Sequence, residues 1–138
     1  MRITIKIDMN SEEIWLLEER KKVGFLDFLI DFGKDKIMPT TLTVKDGFKG
    51  KGYGVLLMHA LMGIADCLKK PIFLISSVET IEFYKKLGFV CLREFKNGKY
   101  KDKEVIIPNL RKDNFDKEVE KTDLIWIPSK VEKVEIYL

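Results

Sequence analysis

Three glycines spaced two apart, in Phe48-Lys49-Gly50-Lys51-Gly52-Tyr53-Gly54, stand between a β-branched run and a long apolar run. Thr40-Thr41-Leu42-Thr43-Val44 upstream has strand chemistry, and Val55 to Lys70 downstream is rich in Leu, Met and Ala with no proline, as a helix requires. Glycines that open a helix let the backbone pass close to a bound group and leave several N–H groups pointing outward. The helix N-terminus adds partial positive charge, so the natural guest is a phosphate or pyrophosphate. A tight turn with no guest is the other reading of the same glycines. Two nucleotide patterns fail here. Gly52 is followed by Tyr53 rather than by the Lys-Ser/Thr of a P-loop. The Gly-x-Gly-x-Gly spacing is not Gly-x-Gly-x-x-Gly, and the positions about twenty further on, where a dinucleotide fold places an acid, are apolar.

A second constellation lies at Ser77-Val78-Glu79-Thr80-Ile81-Glu82-Phe83-Tyr84-Lys85-Lys86-Leu87-Gly88-Phe89. Together the two stretches resemble the GNAT superfamily of acyl-CoA-dependent N-acyltransferases. Lys49 to Gly54 is similar to that family's Gln/Arg-x-x-Gly-x-Gly/Ala loop, with lysine in the Gln/Arg position. Leu42-Thr43-Val44 resembles its signature strand, and Phe83 to Phe89 is close to verbatim in its Asn-x-x-Ala-x-x-Phe-Tyr-x-Lys-x-Gly-Phe segment, with Ser77 and Thr80 replacing the asparagine and alanine. The resemblance covers roughly Ile14 to Phe95.

The resemblance implies a division of labour. Backbone N–H groups of Lys49, Gly50, Lys51, Gly52, Tyr53 and Gly54 would bind the pyrophosphate of acetyl-CoA, the cosubstrate, with charge added by the two lysines. The backbone of Leu42, Thr43 and Val44 would pair with the pantetheine arm as with an added strand. Tyr84 would protonate the departing thiolate, a step a phenol of reference pKa about 10 can perform on a thiol of about 8.5. Read without the resemblance, Tyr84 is an amphipathic helix residue capping the core. Ser77 takes the place of a cofactor-contacting asparagine, with less reach and fewer donors, or else caps its helix with Ser76. The expected activity is direct acetyl transfer to a primary amine of a small molecule or protein. A non-catalytic acyl-CoA-binding or interaction module is the alternative, and a purely structural subunit a third reading.

The group that deprotonates the amine is left open. Asp27 and Asp31 alternate with Phe25 and Leu29, so either carboxylate could serve through a water or stand exposed at an edge. His59 shares a polar stripe with Gly63, Asp66 and Lys70 and reads as solvent-facing. No His/Cys/Asp cluster has metal-ligand spacing, so no metal is expected.

These residues need elements to hold them. Period-two alternation predicts a strand over Ile3 to Ile7, and further strands cover Ile14 to Glu19, Val23 to Phe32 and Ile37 to Val44, with Pro39 marking a bulge or an edge. The helix from Gly52 or Tyr53 to Lys69 is apolar almost all round and must be covered on most sides. Ile72-Phe73-Leu74-Ile75 reads as a buried parallel strand, which makes the preceding helix a βαβ crossover. Ser76 with Glu79 suggests a capping box for a helix to Leu87, with Gly88 at the left-handed C-cap. Phe89 to Phe95 and Lys103 to Ile107 read as a hairpin about Asn97-Gly98. Asn114 to Lys121 could form a short polar helix. Asp123 to Ile127 and Val131 to Tyr137 read as strands that add to the sheet edge or pair with a second copy, giving a homodimer through the C-terminal strands.

The fold expected is a mixed α/β, GNAT-like one: a mostly antiparallel twisted sheet with a parallel, splayed pair of fourth and fifth strands, flanked by helices. Family members insert helices between the first two strands; only Met9 to Glu13 stand here, so those helices are missing and the acceptor side is either open or walled by other parts. The 138 residues read as one domain, with a core to about residue 110 and an extension over 111–138. A net charge of +3, with both signs interspersed, gives no nucleic-acid face. The apolar run from Val55 to Leu68 is too short to span a bilayer. No signal-peptide pattern stands at the N-terminus, and Cys67 and Cys91 read as buried free thiols of a cytoplasmic protein.

Overall fold

The computed structural model describes residues 2–95, 99–100, 103–108 and 120–138. Four antiparallel strands come first: β1 (Ile3–Asp8), β2 (Glu13–Glu18), β3 (Lys21–Asp31) and β4 (Lys36–Val44). Helix α1 (Tyr53–Leu68) crosses to β5 (Ile72–Ile75), which lies parallel to β4. Helix α2 (Ile81–Lys86) and strand β6 (Val90–Cys91) follow. Short strands β7 (Lys99–Tyr100) and β8 (Lys103–Ile106), then β9 (Asp123–Trp126) and β10 (Lys133–Glu135), complete the chain. The main sheet runs β1-β2-β3-β4-β5-β9-β6, and a second sheet runs β10-β8-β7.

Burial explains why these segments take these places. Ile14, Leu16, Leu26, Phe28 and Ile37 alternate along their strands and pack under Leu57, Met58 and Leu61 of α1. The helix buries seven residues and exposes His59, Gly63 and Asp66, the polar stripe expected of it. On β5 the side chains divide between two cores: Ile72 and Leu74 face α1, whereas Phe73 faces the second sheet with Ile125, Val105 and Val134.

Pro39 sits at a bulge. Asp27 pairs with Thr41 and Phe28 with Pro39, so Thr40 is the extra residue on β4. Beyond it the pair β4 and β5 splays: the two strands share one register pair, Ile37 with Ile72, and the Ile37 N–H donates to the Pro71 carbonyl at 2.9 Å. The rest of β4 pairs on its β3 side.

Four expectations change. The strand Asp123–Trp126 enters the sheet interior, between β5 and β6, rather than its edge. The physical reason is that Leu124 and Ile125 are buried on opposite faces, as befits a strand covered on both sides. The hairpin of Phe89 to Phe95 with Lys103 to Ile107 does not form: β6 pairs with β9, Leu92–Phe95 is a turn of 3-10 helix, and β8 pairs with β7 and β10. Its turn at Asn97-Gly98 lies outside the described residues, as does most of the helix expected over Asn114 to Lys121. No capping box forms at Ser76. Its hydroxyl lies 2.7 Å from the Ser77 carbonyl and 2.8 Å from Thr80 Oγ1, and a 3-10 turn over Val78–Thr80 precedes α2. The cysteines are free but not buried: Cys67 is exposed beside the polar stripe of α1, and Cys91 is half-buried on the two-residue β6.

Lys36 is buried at the start of β4, with Nζ 4.7 Å from the centre of the Phe73 ring. Burial, and secondarily Lys34, lowers its pKa below the ordinary lysine value, with Asp31 opposing. Lys36→Met is therefore expected to stabilise the fold at neutral pH, by no more than about 1 kcal/mol. A lowered folded pKa means the folded chain sheds the proton first, so the native protein gains stability as pH rises from that lowered value to 10.5. The advantage of the variant shrinks over the same window. Denaturant titrations at neutral pH and above 10.5 check this; an undiminished advantage at high pH would assign it to packing instead.

Candidate functional site

The glycine loop is built by backbone conformations that other residues adopt at a cost. Gly47, Gly50 and Gly52 have φ of 90°, 81° and 79°, and a Cβ at any of them would meet no atom within 4 Å. The loop's outer side is therefore open. Leu56 N–H donates to the Gly52 carbonyl at 3.2 Å, starting the helical ladder of α1. Among the described residues, no protein acceptor takes the amides of Lys49, Gly50, Lys51, Gly52, Gly54 and Val55. No acidic side chain stands in the first turn of α1 to occupy that end of the helix. Amides without protein acceptors at a helix N-terminus are donors available to an anion.

The loop side chains are tied back to the protein. Lys49 pairs with Asp46 at 3.2 Å, both exposed. Lys51 pairs with Glu18 at 3.7 Å. Tyr53 is 4% exposed, and its hydroxyl donates to the same Glu18 oxygen. That bond, more than burial, raises the phenol above its ordinary pKa. The Tyr53 ring and hydroxyl are therefore engaged within the protein.

The splay of β4 from β5 opens a cleft of about 220 Å³. Its walls are Pro39 to Leu42 on one side and Leu74 to Ser77 on the other, with Thr80 and Tyr84 at the α2 end. Leu42, Ser77 and Tyr84 thus come together, whereas Thr43 and Val44 continue β4 toward the loop. Ser77 Oγ lies 2.9 Å from Thr80 Oγ1, so its hydroxyl is engaged locally rather than as a helix cap.

Tyr84 owes its place to the end of α2. Gly88, at φ 101°, closes the helix: its N–H donates to the Lys85 carbonyl at 3.0 Å, and the Phe89 N–H to the Tyr84 carbonyl at 3.1 Å. This is a Schellman closure, and it needs the glycine. It folds Phe89 back so that its ring meets Tyr84 edge-on, centroids 5.6 Å apart, while Phe83 meets Tyr84 at 5.0 Å. Burial raises the Tyr84 pKa. Among the described residues its hydroxyl has no protein hydrogen-bond partner. A neutral phenol on the wall of a cleft can donate a proton or hydrogen bond to an anion held there.

Asp31 is used elsewhere: its Oδ1 accepts from the Lys34 N–H at 3.0 Å in the β3–β4 turn. Asp27 is half-buried and pairs across strands with cleft-lining Thr41 on one side and Glu13 on the other. His59 is exposed on α1. No group of acidic, histidine or cysteine side chains among the described residues could hold a metal ion, and no helix among them is long and apolar enough to cross a membrane. Sequence reading missed Glu18, Thr40, Thr41 and Ser76. Glu18 carried no local signal, because its partners are 33 and 35 positions away and meet it only once the sheet is built.

A model of the acetyltransferase (GNAT) domain matches residues 10–91. No curated protein sequence matches. Among solved structures, Tetrahymena GCN5 is 16% identical with a TM-score of 0.59, over 91% of this chain and 73% of that one. The N-acetyltransferase YlbP of Bacillus subtilis, solved in complex with coenzyme A, is 23% identical with a TM-score of 0.52, over 86% of this chain and 68% of that one. Escherichia coli ElaA is 18% identical with a TM-score of 0.53, over 58% of this chain, which spans 56% of ElaA. At these identities the likeness is one of fold.

Proposed function

The chain belongs to the GNAT acetyltransferase superfamily, and from that membership we propose that it transfers an acetyl group from acetyl-CoA directly to a primary amine. What supports this reading above all is the set of amides of Lys49, Gly50, Lys51, Gly52, Gly54 and Val55 at the start of α1, which no protein acceptor takes among the described residues. They fit a diphosphate, and the unpaired side of β4 fits the amide-bearing arm that would follow it toward Tyr84. The cosubstrate supplies an activated acyl thioester. The chain's own tasks are to hold it, to keep the phenol of Tyr84 protonated beside the sulfur, and to admit the amine.

The acceptor would reach the cleft along β4 on the sheet face away from α1, the face that Thr41 shares with Asp27. Asp27, opposite Thr41, puts a carboxylate beside the cleft on that route. That charge favours a cationic amine, and the open approach suits either a small polyamine or a lysine or N-terminus of a protein. A homodimer through the C-terminal strands has the outer edge of β10 to pair through, since β9 is paired on both sides within the chain. The two free cysteines fit a reducing, cytoplasmic setting.

The test is calorimetric titration with coenzyme A and acetyl-CoA, followed by labelled acetyl transfer across polyamines, amino acids and lysine- or amine-terminated peptides. Binding with transfer is the expected result. Binding without transfer to any amine would favour the acyl-CoA-binding module. No binding would overturn both.

A further inference from the structure

Glu18 is the last residue of β2, and its position is set twice. It pairs with Ile3 of β1 and Lys21 of β3, and the turn beyond it runs through Glu19 and Arg20 at φ 50° and 73°. That two-residue turn has the positive φ values that match the twist of a hairpin. From this rigid corner the carboxylate reaches the glycine loop, where it accepts from the hydroxyl of Tyr53 and pairs with Lys51 at 3.7 Å. Its side chain is only 13% exposed, and Tyr53 is buried, so the contacts sit at the root of the loop rather than on its outer surface.

Two physical consequences follow. A buried phenol needs an acceptor, and Glu18 provides it, which anchors the first residue of α1 and hence the amides on either side of it. The same carboxylate is an anion next to a place built for anions. It occupies Lys51, the cation nearest the helix start in sequence, and opposes an incoming diphosphate. One residue thus does two things of opposite sign for binding.

We propose that Glu18 is a positioning residue of the glycine loop that also serves as an internal counter-ion, releasing Lys51 to the diphosphate of coenzyme A when the cofactor binds. The inference rests on the cofactor reading given above. In the free protein Lys51 is held by Glu18. In the complex Lys51 turns to the phosphate while the Tyr53 hydroxyl stays on Glu18, so the loop keeps its shape as its charge is handed over.

Substitutions separate the two roles. Glu18→Gln keeps an oxygen for Tyr53 and removes the charge; it is expected to bind coenzyme A about threefold more tightly at low salt, a gain that fades as salt rises. Adding Lys51→Met to Glu18→Gln should abolish the gain. Tyr53→Phe keeps the carboxylate and its pairing with Lys51 but loses the anchor, and should weaken coenzyme A about tenfold with little dependence on salt. Glu18→Ala loses anchor and charge together, so it should weaken coenzyme A by only about threefold at low salt and approach Tyr53→Phe as salt rises; if it fails to fold, the other variants carry the comparison. Titration of coenzyme A at two salt concentrations reads all of them. Wild-type binding with Glu18→Gln weakened like Tyr53→Phe, or with no change in either, overturns the role of Glu18 alone. A wild type that takes up no coenzyme A removes the cofactor reading and this role together.

Discussion

Tyr84→Phe is expected to lower the turnover of acetyl transfer by about 10²–10⁴-fold, the usual worth of a positioned general acid, while coenzyme A affinity stays within about twofold. The separation follows from what the substitution removes. The ring keeps its edge-on contacts with Phe83 and Phe89, so α2 and its Schellman closure are undisturbed. The lost hydroxyl has no protein partner among the described residues, so no buried donor or acceptor is orphaned and the fold should be as stable as before. What disappears is the only proton the phenol could give to a leaving thiolate. The pH profile adds a second readout. Burial raises the phenol's pKa, so its proton is retained to higher pH than usual. Any loss of rate caused by ionisation of Tyr84 must then have its midpoint above the ordinary phenol value of about 10, and Tyr84→Phe should lack that limb while keeping the rise at lower pH that reports amine deprotonation. Turnover that survives the substitution, with an unaltered profile, would leave Tyr84 a packing residue.

The two kinds of site information differed in how openly the sequence carried them. Gly50, Gly52 and Gly88 were legible because a backbone conformation is a local property: only glycine takes φ near +80° to +100° without strain, so the residue marks the geometry. Tyr84 was legible through its neighbours, since Phe83, Gly88 and Phe89 are the residues that fix its ring. Pro39 marked a bulge or an edge in β4, and the bulge is what formed. By contrast, Glu18 and Thr41 acquire their meaning from register: Thr41 lies on the cleft because β4 is bulged by one residue, and Glu18 meets Tyr53 because β2 ends where the loop begins. Strand β9 shows the same limit. Its Asp-Leu-Ile-Trp run announced a strand, but entry between β5 and β6 depends on two separate cores competing for Leu124 and Ile125. The failed capping box has a smaller cause: the hydroxyls of Ser76, Ser77 and Thr80 bond one another and the Ser77 carbonyl, so none is left for the helix amides.

Gly52→Asp is the counterpart on the binding side and is expected to weaken coenzyme A by about 100-fold or more, the effect of a fixed negative charge a few ångströms from a diphosphate in a partly desolvated site. The position is the N-cap of α1, where aspartate is among the preferred residues because its carboxylate can take the amides of the first turn. Among them the amides of Gly54 and Val55 have no protein acceptor among the described residues, so the new side chain would occupy the cradle from within. Stability should fall by about 1 kcal/mol: aspartate tolerates the left-handed region at Gly52 better than most residues but still with strain, and the space around Gly52 is empty, so no clash is added. Gly52→Asn shares the shape and the backbone tolerance but carries no charge; it should lose much less affinity, and the gap between the two should narrow with salt. Calorimetry of both variants with coenzyme A, beside their thermal melts, makes the comparison. Because Tyr84→Phe should strike turnover and spare affinity while Gly52→Asp does the reverse, each also guards the other's interpretation. If the aspartate variant binds coenzyme A as the native chain does, the amides at the start of α1 are not its phosphate site. A turnover defect in Tyr84→Phe would then need a cofactor held some other way.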